Sequence, residues 1–241
     1  MRSTESSSRV VVVHKFANAT RLTGMAEYAP DKYAILVGAR TADRDTVSTY
    51  TIDLTSIKGP KVKAVGGEIK GPDLLNGLAA LTTETVLASD SFGGVVYIID
   101  LKTGVSKPVL NDATMMPGIN GIRYRPPYLY FTNMVQGIFA RIPIDPRTAE
   151  AKGDVEVIAT KIVGVDDFAL ATWTDREAYL VNYEQNNILR VDAEANLVTF
   201  ATGVIAPTSA FFGRTDADAR VLYVVTSGGV GGGGKVVTVQ T

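Results

Sequence analysis

Apolar and polar positions alternate along most of this chain in short runs, and the runs recur as one pattern five times. TGMAEYAPDKYAILVGA from Thr23, NGLAALTTETVLASDS from Asn76, NGIRYRPPYLYFTNM from Asn120, DDFALATWTDREAYLVNY from Asp166 and TSAFFGRTDADARVLYVVTS from Thr208 share it. Each has a small polar start, a short apolar strand, a turn rich in Pro, Asp or Thr, and a second apolar strand ending in a small polar residue. A third strand follows each (STYTIDL, GVVYIIDL, GIFARIPID, NNILRVDA, KVVTVQT), and a fourth (KVKAV, VSKPVL, VEVIAT, LVTFAT) closes the first four units. Four-stranded units with a loose period of ~46 residues predict the blades of an all-β propeller, because a sandwich has no such higher period. Helix periodicity over ten or more residues is absent, which argues against an α/β fold.

The last unit stops after its third strand, while the chain begins with an unattached β-branched run, RVVVVHKF. Unpaired strand edges are costly, so 10–16 is expected to pair with 235–241 and close a single domain over 10–241, behind a flexible N-terminus of 1–9.

Composition narrows the chemistry. The 241 residues carry 24 Lys and Arg against 25 Asp and Glu, for a net charge of -1, with no basic cluster to favour nucleic acid or an anionic membrane. There is no cysteine, hence no disulfide, zinc-thiolate site or thiol nucleophile. The single histidine, His14, lies in the β-branched run and is assigned a structural role. Apolar stretches are too short to span a bilayer and no secretory signal is visible in this chain, so the expectation is a cytoplasmic or unassigned location, a missing N-terminal segment being able to carry a signal.

That leaves Asn, Asp, Thr, Ser and Tyr. In a propeller the first residue of each inner strand and the last of the second strand converge on the upper mouth of the channel. The first ring reads Thr23, Asn76, Asn120, Asp166 and Thr208; the second reads Asp90, Asn133, Asn182 and Ser227, with Tyr183 adjacent. Taken singly, such residues more often terminate strands in Asx-type turns; taken as a set on one axis, they suggest a polar site in an apolar scaffold. Phe168, Phe211 and Met134 are candidate apolar walls, although inter-blade packing is the commoner fate of the two phenylalanines. Asp167 either caps the turn beside Asp166 or exchanges a proton. Trp173, in a lower-face turn, is read as packing. SGGVGGGGK at 227–235 lacks the helix and the Ser or Thr of a phosphate loop, and is read as a connecting loop over the upper face.

NGL and NGI at strand starts, ASDSFGGVVYIIDLKTG, APTSAFFGR, LYVVTSGG, VHKFANATRLTGMAE and VDDFALA together resemble the SMP-30/gluconolactonase/LRE-like family over residues ~10 to 241, and its fungal branch most. That family is six-bladed, so the resemblance implies that a first blade is absent; a closed five-blade ring and a six-blade ring with a gap both remain open. In its lactonases a divalent cation is held by a glutamate, two asparagines and an aspartate. By motif Asn76, Asn120 and Asp166 match three of these; the glutamate belongs to the absent blade, and neither Glu27 nor Glu68 takes its place. Calcium or zinc would then bind weakly, and no cofactor is the expectation.

Some fungal relatives are hetero-Diels-Alderases that join a quinone methide to a polyene. The resemblance therefore implies a metal-independent cyclase or isomerase for a hydrophobic intermediate. Asn76, Asn120, Asp166 and Thr208 would be catalytic, and Asn133, Asn182, Tyr183, Asp90, Phe168 and Met134 would contact substrate. A metal-dependent lactone or ester hydrolase and a non-catalytic binding scaffold are the alternatives.

Overall fold

The computed structural model describes residues 11–40 and 45–241, and the described residues form strands and no helix. Blade one contains β1 (Arg21–Ala29), β2 (Lys32–Arg40), β3 (Asp45–Asp53) and β4 (Lys61–Glu68). Blade two contains β5 (Leu75–Ala80), β6 (Thr85–Asp90), β7 (Val95–Asp100) and β8 (Ser106–Asn111). Blade three contains β9 (Ile119–Arg125), β10 (Tyr128–Asn133), β11 (Ile138–Pro143) and β12 (Glu156–Ala159). Blade four contains β13 (Val165–Leu170), β14 (Ala178–Asn182), β15 (Asn187–Val191) and β16 (Leu197–Thr202). Blade five contains β17 (Pro207–Phe212), β18 (Val221–Thr226) and β19 (Lys235–Gln240). Every sheet is an antiparallel meander in chain order, four of four strands and the last of three. The protein is a five-bladed β-propeller, as the repeat predicts.

A blade is sandwiched between two others, so both of its faces must be apolar, and alternate residues divide between them. Ala34 and Leu36 of β2 face blade two, where Leu78, Val86 and Ala88 meet them. Leu87 and Val96 use the other face of blade two to pack on Ile122, Leu129 and Phe131. Phe139 and Tyr130 of blade three meet Phe168, Leu180 and Leu189 of blade four. Tyr179, Val181 and Ile188 then meet Ala210, Phe212, Leu222 and Val224 of blade five. Inner strands pack side by side in the order β1, β5, β9, β13, β17, but β17 and β1 do not pack in this way. Blades five and one instead meet at a seam, spanned by Arg214, whose guanidinium binds Glu27 and Asp31.

The expected pairing of 10–16 with 235–241 is absent from the described residues. Residues 11–16 lie in no strand, β19 pairs with β18, and Val10, like the whole of 1–9, lies outside the described residues. The apolar anchor of this segment is spent elsewhere: Phe16 packs edge-on to Tyr50 at 4.9 Å and, with Ala19, covers Ile35, Val37 and Ile52 on the seam side of blade one. His14 sits against the Phe16 ring.

Candidate functional site

All five inner-strand starts, Thr23, Asn76, Asn120, Asp166 and Thr208, line one cavity of about 900 Å³. Their position is set by the residue that follows. At Gly24, Gly77 and Gly121 a Cβ would strike the next blade, in the last two cases the Asn120 carbonyl and the Asp167 carboxylate. Lacking side chains there, the inner strands draw together and turn the preceding polar residue toward the axis. Hydroxyls from neighbouring blades fix the ring: Thr23 Oγ1 donates to the Leu75 carbonyl at 3.0 Å, Ser89 Oγ to that of Asn120, and Thr132 Oγ1 to that of Asp166 at 2.6 Å.

In blades four and five the glycine is replaced by Asp167 and Ser209, and a polar cluster takes its space. Arg123 Nη2 donates to Asp167 Oδ2 at 2.6 Å, and Ser209 Oγ donates to the same oxygen. The Arg123 guanidinium also lies 4.9 Å from the Phe211 ring centroid, a cation–π contact that ties the polar floor to the apolar wall. Asp167 Oδ1 and Arg123 Nε are buried without a protein partner, and such atoms favour a site that receives a ligand.

Among the described residues no cation pairs with Asp166. Burial, then the charge of Asp167, push its carboxyl up to about 7, against the pull of the Asn120 amide beside it. Near neutrality it is poised to donate a proton or a hydrogen bond. Asn120 is itself buried and points its Nδ2 at Met134 Sδ, 3.3 Å away.

The second ring divides differently. Met134 and Tyr183 line the cavity, but the residues before them do not. Asn133 Nδ2 donates to the Thr114 carbonyl while its Oδ1 accepts from the amides of Val135 and Gln136. Asn182 does the same with the Val163 carbonyl and the Gln185 amide. The Asp90 carboxylate accepts from the amides of Asp73, Leu74 and Gly93. Each side chain is buried and spent on backbone, locking the turn after the second strand to the loop that enters its own blade. These three therefore hold the scaffold instead of facing the cavity. Phe168 is fully buried in the core between blades three and four, edge-on to Phe139, whereas Phe211 does line the cavity. Trp173 packs against Phe212 under Arg220, as expected. Ser227 and its glycine-rich loop are not among the cavity residues.

Sequence reasoning passed over Arg123, Ser209 and Tyr33, which also line the cavity. Arg123 left a signal: the preceding residues of its inner strand, INGI, are uncharged, and a charge there has to face either the channel or a blade core.

The residues present do not suit a divalent cation. Among the described residues no three His, Cys, Asp or Glu side chains cluster to hold one. Of the two carboxylates at the ring, Asp167 is taken by Arg123 and Ser209, which leaves Asp166 alone beside the amides of Asn76 and Asn120. Two amides and one such acid make a poor hard-cation site.

No family model matches the chain. It is 27% identical over 253 residues to the protein named "Putative hetero-Diels-Alderase asR5" of Sarocladium schorii, a match covering 85% of this chain and 62% of that protein. It is 24% identical over 247 residues to a similarly named protein of a Phoma species, covering 85% and 69%. The chain thus spans less than two thirds of the length of the first relative. Among solved structures, the nidogen/laminin complex matches at a TM-score of 0.68 with 11% identity, over 95% of this chain and 78% of the other. A streptogramin B lyase matches at 0.58 with 12% identity, over 95% and 71%. The gluconolactonase XC5397 of Xanthomonas campestris matches at 0.55 with 14% identity, over 92% and 85%. At such identities the structures speak to fold alone. The chain is a five-bladed β-propeller, similar in sequence to two fungal proteins that carry the hetero-Diels-Alderase name.

Proposed function

We propose that the chain catalyses a cycloaddition of the hetero-Diels-Alder type on a hydrophobic small molecule, without a metal. The observation that carries this reading is the cavity itself: a polar floor of Asn76, Asn120, Asp166 and Thr208 beneath walls that include Met134, Tyr183 and Phe211. Its volume of about 900 Å³ is at the upper end of small-molecule sites and suits two reactants held together. In such a reaction one carbon–carbon and one carbon–oxygen bond form and no atom is lost. The enzyme therefore has to hold the partners in a near-attack pose and polarise the carbonyl of the heterodiene. The Asp166 carboxyl in its protonated form and the ring amides are the donors for that oxygen, preorganised where its charge develops. The names of the two relatives support the reaction class.

The test is to incubate the protein with a thermally generated ortho-quinone methide and an alkene, and to follow cycloadduct by chromatography. A rate above the uncatalysed one, insensitive to EDTA and reduced in Asp166→Asn, is expected; an adduct rate equal to background across a panel of alkenes overturns the reading. The second reading, a metal-dependent lactonase, draws on the convergence of Asn76, Asn120 and Asp166 on one cavity. Hydrolysis of a lactone that EDTA abolishes and calcium restores would favour it.

A further inference from the structure

The chain contains two Asn-Gly dipeptides, Asn76–Gly77 and Asn120–Gly121, and both contribute to the polar ring. A glycine after an asparagine gives its backbone nitrogen the least hindered approach to the asparagine side-chain carbonyl carbon. Joined by the chain itself, the two groups meet at a high effective concentration. The two sites differ in how firmly the fold holds each reacting group.

Both dipeptides sit in a β-bulge at the start of an inner strand. Leu75 pairs with Asp90 and Leu78 with Ala88, so Asn76 and Gly77 together oppose Ser89 alone. Ile119 pairs with Asn133 and Ile122 with Phe131, so Asn120 and Gly121 oppose Thr132. A bulge disrupts the ladder locally, and here the hydroxyl opposite takes over from the missing backbone partner. The Gly77 amide donates to Ser89 Oγ at 2.9 Å, and the Gly121 amide to Thr132 Oγ1 at 3.0 Å. Each hydroxyl donates in turn to the carbonyl of the next ring residue, Asn120 and Asp166 respectively. The backbone nitrogen is thus clamped in the same way at both sites, by residues of blades two and three only.

The side chains are held differently. Asn120 is 4% exposed, its Nδ2 lies 3.3 Å from Met134 Sδ, and it hydrogen-bonds Asp166. Asn76 is half-buried and lines the cavity, and among the described residues no group hydrogen-bonds its side-chain amide. One amide is pinned, and the other is free to turn.

From this we infer that Asn76–Gly77 is a self-modification site, at which the ring amide is converted to a carboxylate at a rate set by the Ser89 hydroxyl. The Gly77 nitrogen gives up its proton and bonds to Asn76 Cγ. The bond from Cγ to the side-chain nitrogen breaks, and ammonia leaves with that proton. Water then opens the five-membered imide at either carbonyl, leaving aspartate or isoaspartate at position 76. One water is consumed and one ammonia released, with no oxidant or other co-reactant. The product adds a negative charge to the cavity floor and replaces an amide donor by an acceptor. Asn120–Gly121, with both groups held, stays an amide. The conversion does not depend on which reaction the cavity performs.

The test keeps the full chain in mildly alkaline buffer, with a parallel sample in denaturant, and maps both dipeptides by mass spectrometry for the change of amide to acid. In denaturant the two sites should convert at similar rates. In the folded chain Asn76 should convert at least about tenfold faster than Asn120, whose release requires local opening. Ser89→Ala should speed conversion at Asn76 about two- to tenfold, the worth of one hydrogen bond. Ser89→Thr, which installs the residue type that blade three carries at this place, should restore the parent rate. Thr132→Val removes the corresponding hydroxyl of blade three and should leave the rate at Asn76 unchanged. A folded chain in which Asn76 stays intact long after the denatured sample has converted, or in which both sites convert equally, overturns the inference. Equal acceleration of Asn76 by Ser89→Ala and Thr132→Val does so too, since general loosening would then set the rate. Conversion at Asn76 in a chain that forms no cycloadduct sustains the modification and rejects the reaction, whereas cycloadduct from a chain whose Asn76 never converts does the reverse.

Discussion

Gly121 and Asp167 interlock: a methyl group on Gly121 would fall on the Asp167 carboxylate, so the absence of a side chain in blade three makes room for the charged one in blade four. Gly121→Ala should therefore displace Asp167 from Arg123 and cost about 1–3 kcal/mol in denaturant unfolding. Gly67→Ala, at a site where a Cβ meets nothing within 4 Å, is the control and should change stability little.

The Arg123–Asp167 pair has side-chain exposures of only 14% and 12%, so removing one partner strands a buried charge. Arg123→Met is expected to destabilise by roughly 3–5 kcal/mol. Arg123→Met combined with Asp167→Leu should recover most of that loss. Chemical denaturation of the two single variants and the double variant measures the coupling.

For Asp166 the folded pKa, about 7, lies above its ordinary 3.8. Between those values the folded state binds more protons than the unfolded state, so its contribution is complete below pH 3.8 and is lost as pH rises through 7. Asp166→Asn removes the penalty. Its melting temperature should match the parent near pH 4 and exceed it by pH 8, by the equivalent of at most about 4 kcal/mol. Melting curves at several pH values decide this, and an excess appearing at low pH would contradict the sign.

Asn133 and Asn76 look alike in sequence, each an Asn at the cavity end of an apolar strand, yet one is spent on backbone and the other faces the cavity. Asn133→Ala should cost about 1–3 kcal/mol of stability, the penalty of buried polar groups left unpaired. Asn76→Ala should leave stability within about 0.5 kcal/mol and lower turnover ten- to a hundredfold, if it donates to the reacting oxygen. Parallel thermal melts and cycloadduct assays separate the two roles.

The five-fold pattern was readable because blades obey a period-two alternation and a module length, both local properties of the chain. The first ring was readable for the same reason: a polar residue opening an apolar inner strand has nowhere else to point. The second ring misled by one position. The Asx side chain at the strand end turns down to bind its own backbone, so the following residues, Met134 and Tyr183, reach the cavity. Phe168 was ambiguous because alternation cannot say which of two apolar faces opens to a cavity, and here it packs between blades. The seam lay beyond a local reading, since it depends on whether two distant ends of the chain meet. Phe16, expected to sit in a closing strand, covers the side of blade one instead.

The buried locks formed by Asp90, Asn133 and Asn182 separate two kinds of information in blades two, three and four. In each of these blades one side chain builds the turn, whatever the neighbouring ring residue happens to be. A substitution at Asn76 or Asn120 can then alter what the cavity accepts without renegotiating how the blade folds. A scaffold organised in this way can exchange one chemistry for another by small steps at its rim.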